Sequence, residues 1–301
     1  MLIAPCHGML TDHLAKFTEI KPSSGTRSPA TSPQRKMRIS GSTGAATLTV
    51  VAIWNVTCWH VDGERIGEPG GMSSLQLLED TALAASPVVA NNTMNRERGL
   101  AGPNSYAKEL GFDPYEFLAA REGAQAWLDL CCSSGKALIH AAGRFAAERP
   151  ESAVTIVGID LVDHFLSGPR PPGLELIAAS AAGWSPRRSF DLITCVHGLH
   201  YVGDKLRVLD RAASWLAPDG LFVADFDPGS IRDGRGRSGA RKVVAALRQA
   251  GWEYDTRRKR VSCTGPRALD LETAYLGADD AVGPNYTGQP AVASYYEWSH
   301  S

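Results

Sequence analysis

Trp127–Leu128–Asp129–Leu130–Cys131–Cys132–Ser133–Ser134–Gly135–Lys136–Ala137–Leu138 is the passage on which the fold reading turns. An apolar run carries an acid, small residues fill a turn, and a helix opens directly after Gly135. Downstream, Val157–Gly158–Ile159–Asp160 is a second apolar run closed by an acid. A helix N-terminus offers free amide N–H groups and the positive end of its dipole to an anionic group. An acid at the tip of the second strand can accept hydrogen bonds from both hydroxyls of a ribose. The arrangement suits a ligand with an adenosine and a charged tail.

Outward from this passage, the apolar period predicts the remaining elements. Short helices are expected over 104–110 and 114–121, and buried strands over 127–131, 154–160, 174–178 and 190–196. A helix over 136–148 sets Leu138, Ile139, Ala142 and Phe145 on one stripe. Another over 205–216 aligns Leu206, Leu209, Ala213 and Leu216, and Pro218–Asp219–Gly220 turns it into a strand over 221–225. This alternation predicts an α/β fold, a Rossmann-like doubly wound, mostly parallel sheet with helices on both faces. Such sheets bind ligands at the carboxyl ends of their strands. Asp129, Asp160, His197 and Asp225 all fall near predicted ends of that kind.

The opening passage resembles motif I of the class I S-adenosylmethionine-dependent methyltransferases, written acid-x-Gly-x-Gly-x-Gly. Asp129 matches the acid and Gly135 the last glycine, while Cys131 and Ser133 stand where the first two glycines sit. Glycine suits such turns because it takes positive φ freely and lets a ligand approach. Further blocks follow in the family's order. Asp160 matches the acid after the second strand, and 190–201 resembles the fourth strand with its substrate-side loop. The stretch 216–224 resembles the turn and fifth strand. At the third strand the family's usual acid is absent, and the chain reads Ala178–Ala179–Ser180–Ala181.

The resemblance implies methyl transfer from S-adenosyl-L-methionine to an unidentified small-molecule acceptor; a non-catalytic binder or sensor of S-adenosylmethionine is the alternative. It implies cofactor contacts from Asp129, Cys131, Ser133, Gly135, Asp160, Leu161, Ser180, Ala181 and His197. A nicotinamide dehydrogenase is disfavoured, since the first turn lacks the Gly-x-Gly-x-x-Gly spacing. His200, then His197, is the candidate base, needed only if the acceptor must lose a proton. No third ligand accompanies this His-x-x-His pair in the sequence, so no metal is expected. Near the C-terminus, Tyr286, Asp279 and Asp280 sit among turn-forming residues and are expected at the acceptor, or else in a solvated loop. Asp129 could also serve only as a turn cap, and the Cys131–Cys132 pair only as small packing residues.

Composition limits the rest. With 301 residues, 44% hydrophobic and 21% charged, the chain is ordinary for a soluble protein. A net charge of −1 gives no footprint for nucleic acid or an anionic membrane. The one basic cluster, Arg257–Arg258–Lys259–Arg260, reads as a solvated turn or strand end. Six cysteines without Cys-x-x-Cys spacing suit a reducing cytoplasm. Residues 1–93 are expected to be a low-complexity or poorly ordered extension, and 94–301 the methyltransferase-like domain. Within the extension, 22–35 reads as disordered and 48–54 as an isolated strand too short to span a membrane. Met94 opens the family-like region. The oligomeric state is not legible.

Overall fold

The computed structural model describes residues 76–90 and 98–299. The predicted disordered stretch 22–35, the strand-like run 48–54 and Met94 lie outside the described residues. Two short helices come first, α1 (Asp80–Ala84) and α2 (Pro87–Ala90). Helices α3 (Tyr106–Leu110) and α4 (Pro114–Ala119) follow, opened by Ser105 and Asp113, whose side chains accept the amides of Lys108 and Tyr115. Such caps satisfy donors that have no partner inside the helix. Strand and helix then alternate through β1 (Gln125–Leu130), α5 (Lys136–Glu148), β2 (Val154–Asp160), β3 (Leu174–Ala178), β4 (Phe190–Cys195), α6 (Lys205–Ser214) and β5 (Leu216–Asp225). The C-terminal part adds β6 (Ile231–Asp233), α7 (Ala240–Gln249), β7 (Glu253–Asp255), β8 (Arg260–Thr264), β9 (Thr273–Asp279) and β10 (Ala293–Trp298).

Seven strands form the main sheet in the order β3-β2-β1-β4-β5-β8-β7. The strands from β3 to β5 are parallel, and β8 runs antiparallel to both β5 and β7. Side chains alternate across the pleat and sort into two cores. Trp127, Ile156, Leu192 and Val223 meet Tyr106, Tyr115, Leu118, Leu138 and Phe145 from α3, α4 and α5. Leu128, Val157, Ile193 and Phe222 meet Leu206 and Leu209 of α6 and Val243 and Leu247 of α7. The sheet is therefore doubly wound. Because β1 lies between β2 and β4, the strand order reverses there, and a crevice opens at the carboxyl ends.

Two local readings are corrected. The predicted turn at 218–220 lies inside one long strand: Phe190 pairs with Leu216 and Leu192 with Leu221, so 217–220 loop out between them. For the same reason α6 ends at Ser214 rather than at Leu216, which the sheet claims. A second sheet, β6-β10-β9, carries the C-terminal strands. Against it sit residues 76–90: Leu78 bridges Ala278, and Leu83 and Val89 share a small core with Ala278 and Val292. Among the described residues no helix is long and apolar enough to cross a membrane.

Candidate functional site

At the end of β1 the chain turns with Cys131 at φ 58°, Ser133 at φ 55° and Gly135 at φ 71°. All three positions of the glycine pattern are left-handed, although two carry side chains. A non-glycine residue in that region is strained by about 1–2 kcal/mol. Room for one side chain comes from Gly198, where an added Cβ would lie 2.4 Å from Cys131 Cβ. Asp160, ending β2, accepts the Ser133 amide at 2.8 Å and the Val162 amide at 3.2 Å. The acid thus ties the first turn to the second strand.

These residues wall a cavity of about 290 Å³ over the carboxyl ends of β1, β2 and β3. Cys131, Ser133, Asp160, Leu161, Ser180 and Ala181 line it, and Asp80 and Leu83 of α1 with Val89 of α2 close another side. Asp129 stands behind the wall, fully buried, accepting from Tyr106 Oη at 2.7 Å and Thr194 Oγ1 at 2.5 Å. Burial pushes its carboxyl up to about 7, against the lowering effect of those bonds. Gly135 also acts from behind, since a Cβ there would lie 2.7 Å from Leu176 Cδ1.

A second, polar cavity of about 410 Å³ is lined by residues after β4 and at the end of β5. His197 has φ 59° and donates its amide to Asp225 Oδ2 at 3.1 Å. Its Nε2 lies 3.3 Å from Glu109 Oε2 and 3.7 Å from Asp225 Oδ2. Donor atoms of Glu109, His197 and Asp225 all fall within 4.8 Å of one another. The contact with His197 lowers the Glu109 carboxyl, whereas burial raises that of Asp225. Arg98, Lys108, Arg258 and Arg260 surround this group, and Tyr286, Thr287 and Gln289 form another wall. His197 and Gly198 are adjacent in sequence and belong to the second and first cavities respectively.

The structure sorts the predicted site residues by position. Cys131, Ser133, Asp160, Leu161, Ser180 and Ala181 line the first cavity, and His197 and Tyr286 the second. His200 lines neither; its ring is 5.7 Å from His197 and 5.4 Å from Tyr286 between centroids. Burial first, then the charges of His197 and Lys205, push it down to about 3, so it is neutral at physiological pH. Asp279 and Asp280 line neither cavity, and Asp279 accepts the Ala281 amide at 2.8 Å. Sequence reasoning missed Glu109, Arg98 and Arg260, and the walls supplied by α1 and α2. Arg260 reaches the cavity because its strand pairs with Asp225, a pairing that no local pattern in the sequence announces.

A model of the methyltransferase domain family matches residues 104–269, more than half of the chain. No curated protein matches. Similar solved structures include an S-adenosylmethionine-bound amino pentose methyltransferase of calicheamicin biosynthesis from Micromonospora echinaspora. Its identity is 25%, covering 36% of this chain and 46% of that one, with a TM-score of 0.28. A sugar N-methyltransferase from Streptoalloteichus is 22% identical over 39% of this chain and 48% of its own, TM-score 0.29. A phosphoethanolamine N-methyltransferase from Haemonchus contortus, in complex with S-adenosyl-L-methionine, is 16% identical over 48% and 32%, TM-score 0.31. The matched region spans less than half the length of each of these three structures.

Proposed function

This chain belongs to the methyltransferase domain family, and we propose that it transfers the methyl group of S-adenosyl-L-methionine to a small-molecule acceptor. The observation that carries the reading is the first cavity, walled by the residues of the glycine-pattern turn and by the acid closing β2. Asp160 would accept the ribose hydroxyls, with Ser180 and Ala181 beside the adenine. Left-handed Cys131 and Ser133 keep the backbone path that glycines would give. The donor, when bound, supplies a methyl group already activated by a sulfonium.

The protein's own task is then mostly positioning, since bringing reactants to near-attack distance lowers the barrier by several kcal/mol. The second cavity is the proposed acceptor chamber, with Tyr286 on its wall. His197 is placed to take a proton from an acceptor O–H or N–H, with Glu109 3.3 Å from Nε2 to stabilise the resulting cation. His200, neutral and set behind His197, is the second candidate, able to receive a proton only if the ring gains access to the chamber.

Calorimetric titration with S-adenosylhomocysteine tests the donor site. The full chain is expected to bind, and Asp160→Ala to weaken binding by about 1–3 kcal/mol through lost charge-assisted hydrogen bonds. Unchanged affinity in that variant would remove Asp160 from the site. For the histidines, S-adenosylhomocysteine release by His197→Gln and His200→Gln is compared, and the larger loss is expected from His197→Gln.

A further inference from the structure

We infer that the acceptor carries an anionic group, a carboxylate or a phosphate, and that Arg98 and Arg260 seat it in the polar cavity. This inference rests on the donor-and-acceptor division proposed above. Four cationic residues, Arg98, Lys108, Arg258 and Arg260, and two carboxylates, Glu109 and Asp225, line that cavity; of the four, Arg258 also lies 4.0 Å from Asp255 Oδ2. Both lining carboxylates are already engaged at His197, one at 3.3 Å from Nε2 and the other holding the backbone amide at 3.1 Å.

The guanidiniums are held in place from behind. Arg98 Nε donates to Asn104 Oδ1 at 3.2 Å, with Nη2 3.9 Å from Glu109 Oε1. Arg260 Nη1 donates to the Leu110 carbonyl at 2.6 Å. Yet Arg98 Nη1 and Arg260 Nε are buried and meet no hydrogen-bond partner among the described residues. A buried donor left without an acceptor costs roughly 1–3 kcal/mol, more when charged. Both residues line the polar cavity, and a small shift of either side chain toward it would bring these N–H groups to a carboxylate or phosphate oxygen. Arg258 and Lys108 lie exposed at the rim, where they would draw an anion inward. The polar wall of Tyr286, Thr287 and Gln289 supplies neutral hydrogen-bonding groups for the rest of the acceptor.

The charges of Arg98 and Arg260 offset those of Glu109 and Asp225, while Lys108 and Arg258 add positive charge at the rim. A divalent cation at the same carboxylates would instead sit against uncompensated positive charge.

The test titrates the full chain with inorganic phosphate and, separately, with acetate, each with and without saturating S-adenosylhomocysteine, by calorimetry at low ionic strength. Saturable binding of at least one anion is expected, and the tighter of the two identifies the group. Arg98→Gln and Arg260→Gln should each weaken it at least fivefold, with Arg260→Lys falling between wild type and Arg260→Gln. S-adenosylhomocysteine affinity should stay within twofold in all three variants, which also certifies that they are folded. Absence of binding by either anion to a chain that binds S-adenosylhomocysteine would overturn the inference. So would anion binding unchanged in both glutamine variants, or Zn²⁺ binding in place of either anion. If S-adenosylhomocysteine itself fails to bind, the donor reading falls, while the anion titration without it still reports on the arginines.

Discussion

Cys131 and Ser133 hold a backbone conformation that their side chains disfavour, at φ 58° and 55°. Ser133→Gly should remove that strain while adding glycine's unfolded-state freedom, for a net gain of up to about 1 kcal/mol. Ser133→Ala keeps the Cβ and should give no gain. Cys131→Gly should gain less, because it also surrenders the packing of that side chain against Gly198 and Cys195. Urea unfolding of the three variants checks the ordering, and a Ser133→Gly protein less stable than wild type would refute the strain account. Asp129 carries a second residue-level expectation. Its pKa is raised by burial to about 7 from an unfolded value of 3.8, so the folded state holds the extra proton between those values. The stability contributed by that proton is present below about 4 and is lost as pH rises through about 7. Asp129→Asn should therefore flatten the thermal-melt profile between pH 4 and 7, and a profile unchanged from wild type would contradict the assignment.

At the scale of elements, some predictions matched the structure to the residue. The helix over 136–148 and the strands over 154–160 and 174–178 were legible because a long apolar stripe or a short buried run ended at clear turn residues. Nothing beyond Asp225 was resolved into elements. Strands β6 and β7 have three residues each, too few to set a period, and α7 buries only Val243 and Leu247. Strands β9 and β10 pair with one another only after a long excursion of chain, which no local pattern announces. The contact of α5 with β2 passes over Gly158, where a Cβ would lie 2.4 Å from Leu138 Cδ1 and 2.8 Å from Cys132 Sγ. Gly158→Ala should cost about 1–3 kcal/mol by overpacking, measured as a lower urea midpoint at unchanged slope. A variant as stable as wild type would mean that α5 does not sit this close.

Across the whole molecule, the lining of the first cavity was more legible than that of the second. Asp160, Ser133 and Ser180, which line the first, could be read because a series of ordered blocks places them at the ends of the first three strands. Glu109, Arg98 and Arg260 could not, since they come from a short helix, a preceding loop and an antiparallel strand that only the folded sheet brings together. The boundary proposed at 93/94 meets a similar limit. Residues 80–89 line the first cavity and pack on β9. A chain beginning at residue 94 should therefore fold around the main sheet but bind S-adenosylhomocysteine more weakly than a chain beginning at residue 76; equal affinities would show that α1 and α2 contribute nothing to the site. In the proposed function, two adjoining cavities at the carboxyl edge divide methyl donor from acceptor at His197 and Gly198. A crystal structure of the full chain with S-adenosylhomocysteine tests this division most directly. Ribose hydroxyls are expected on Asp160, adenine beside Ser180 and Ala181, and a sulfur facing the chamber of His197 and Tyr286. A ligand bound away from Asp160, or a sulfur turned from His197, would contradict it.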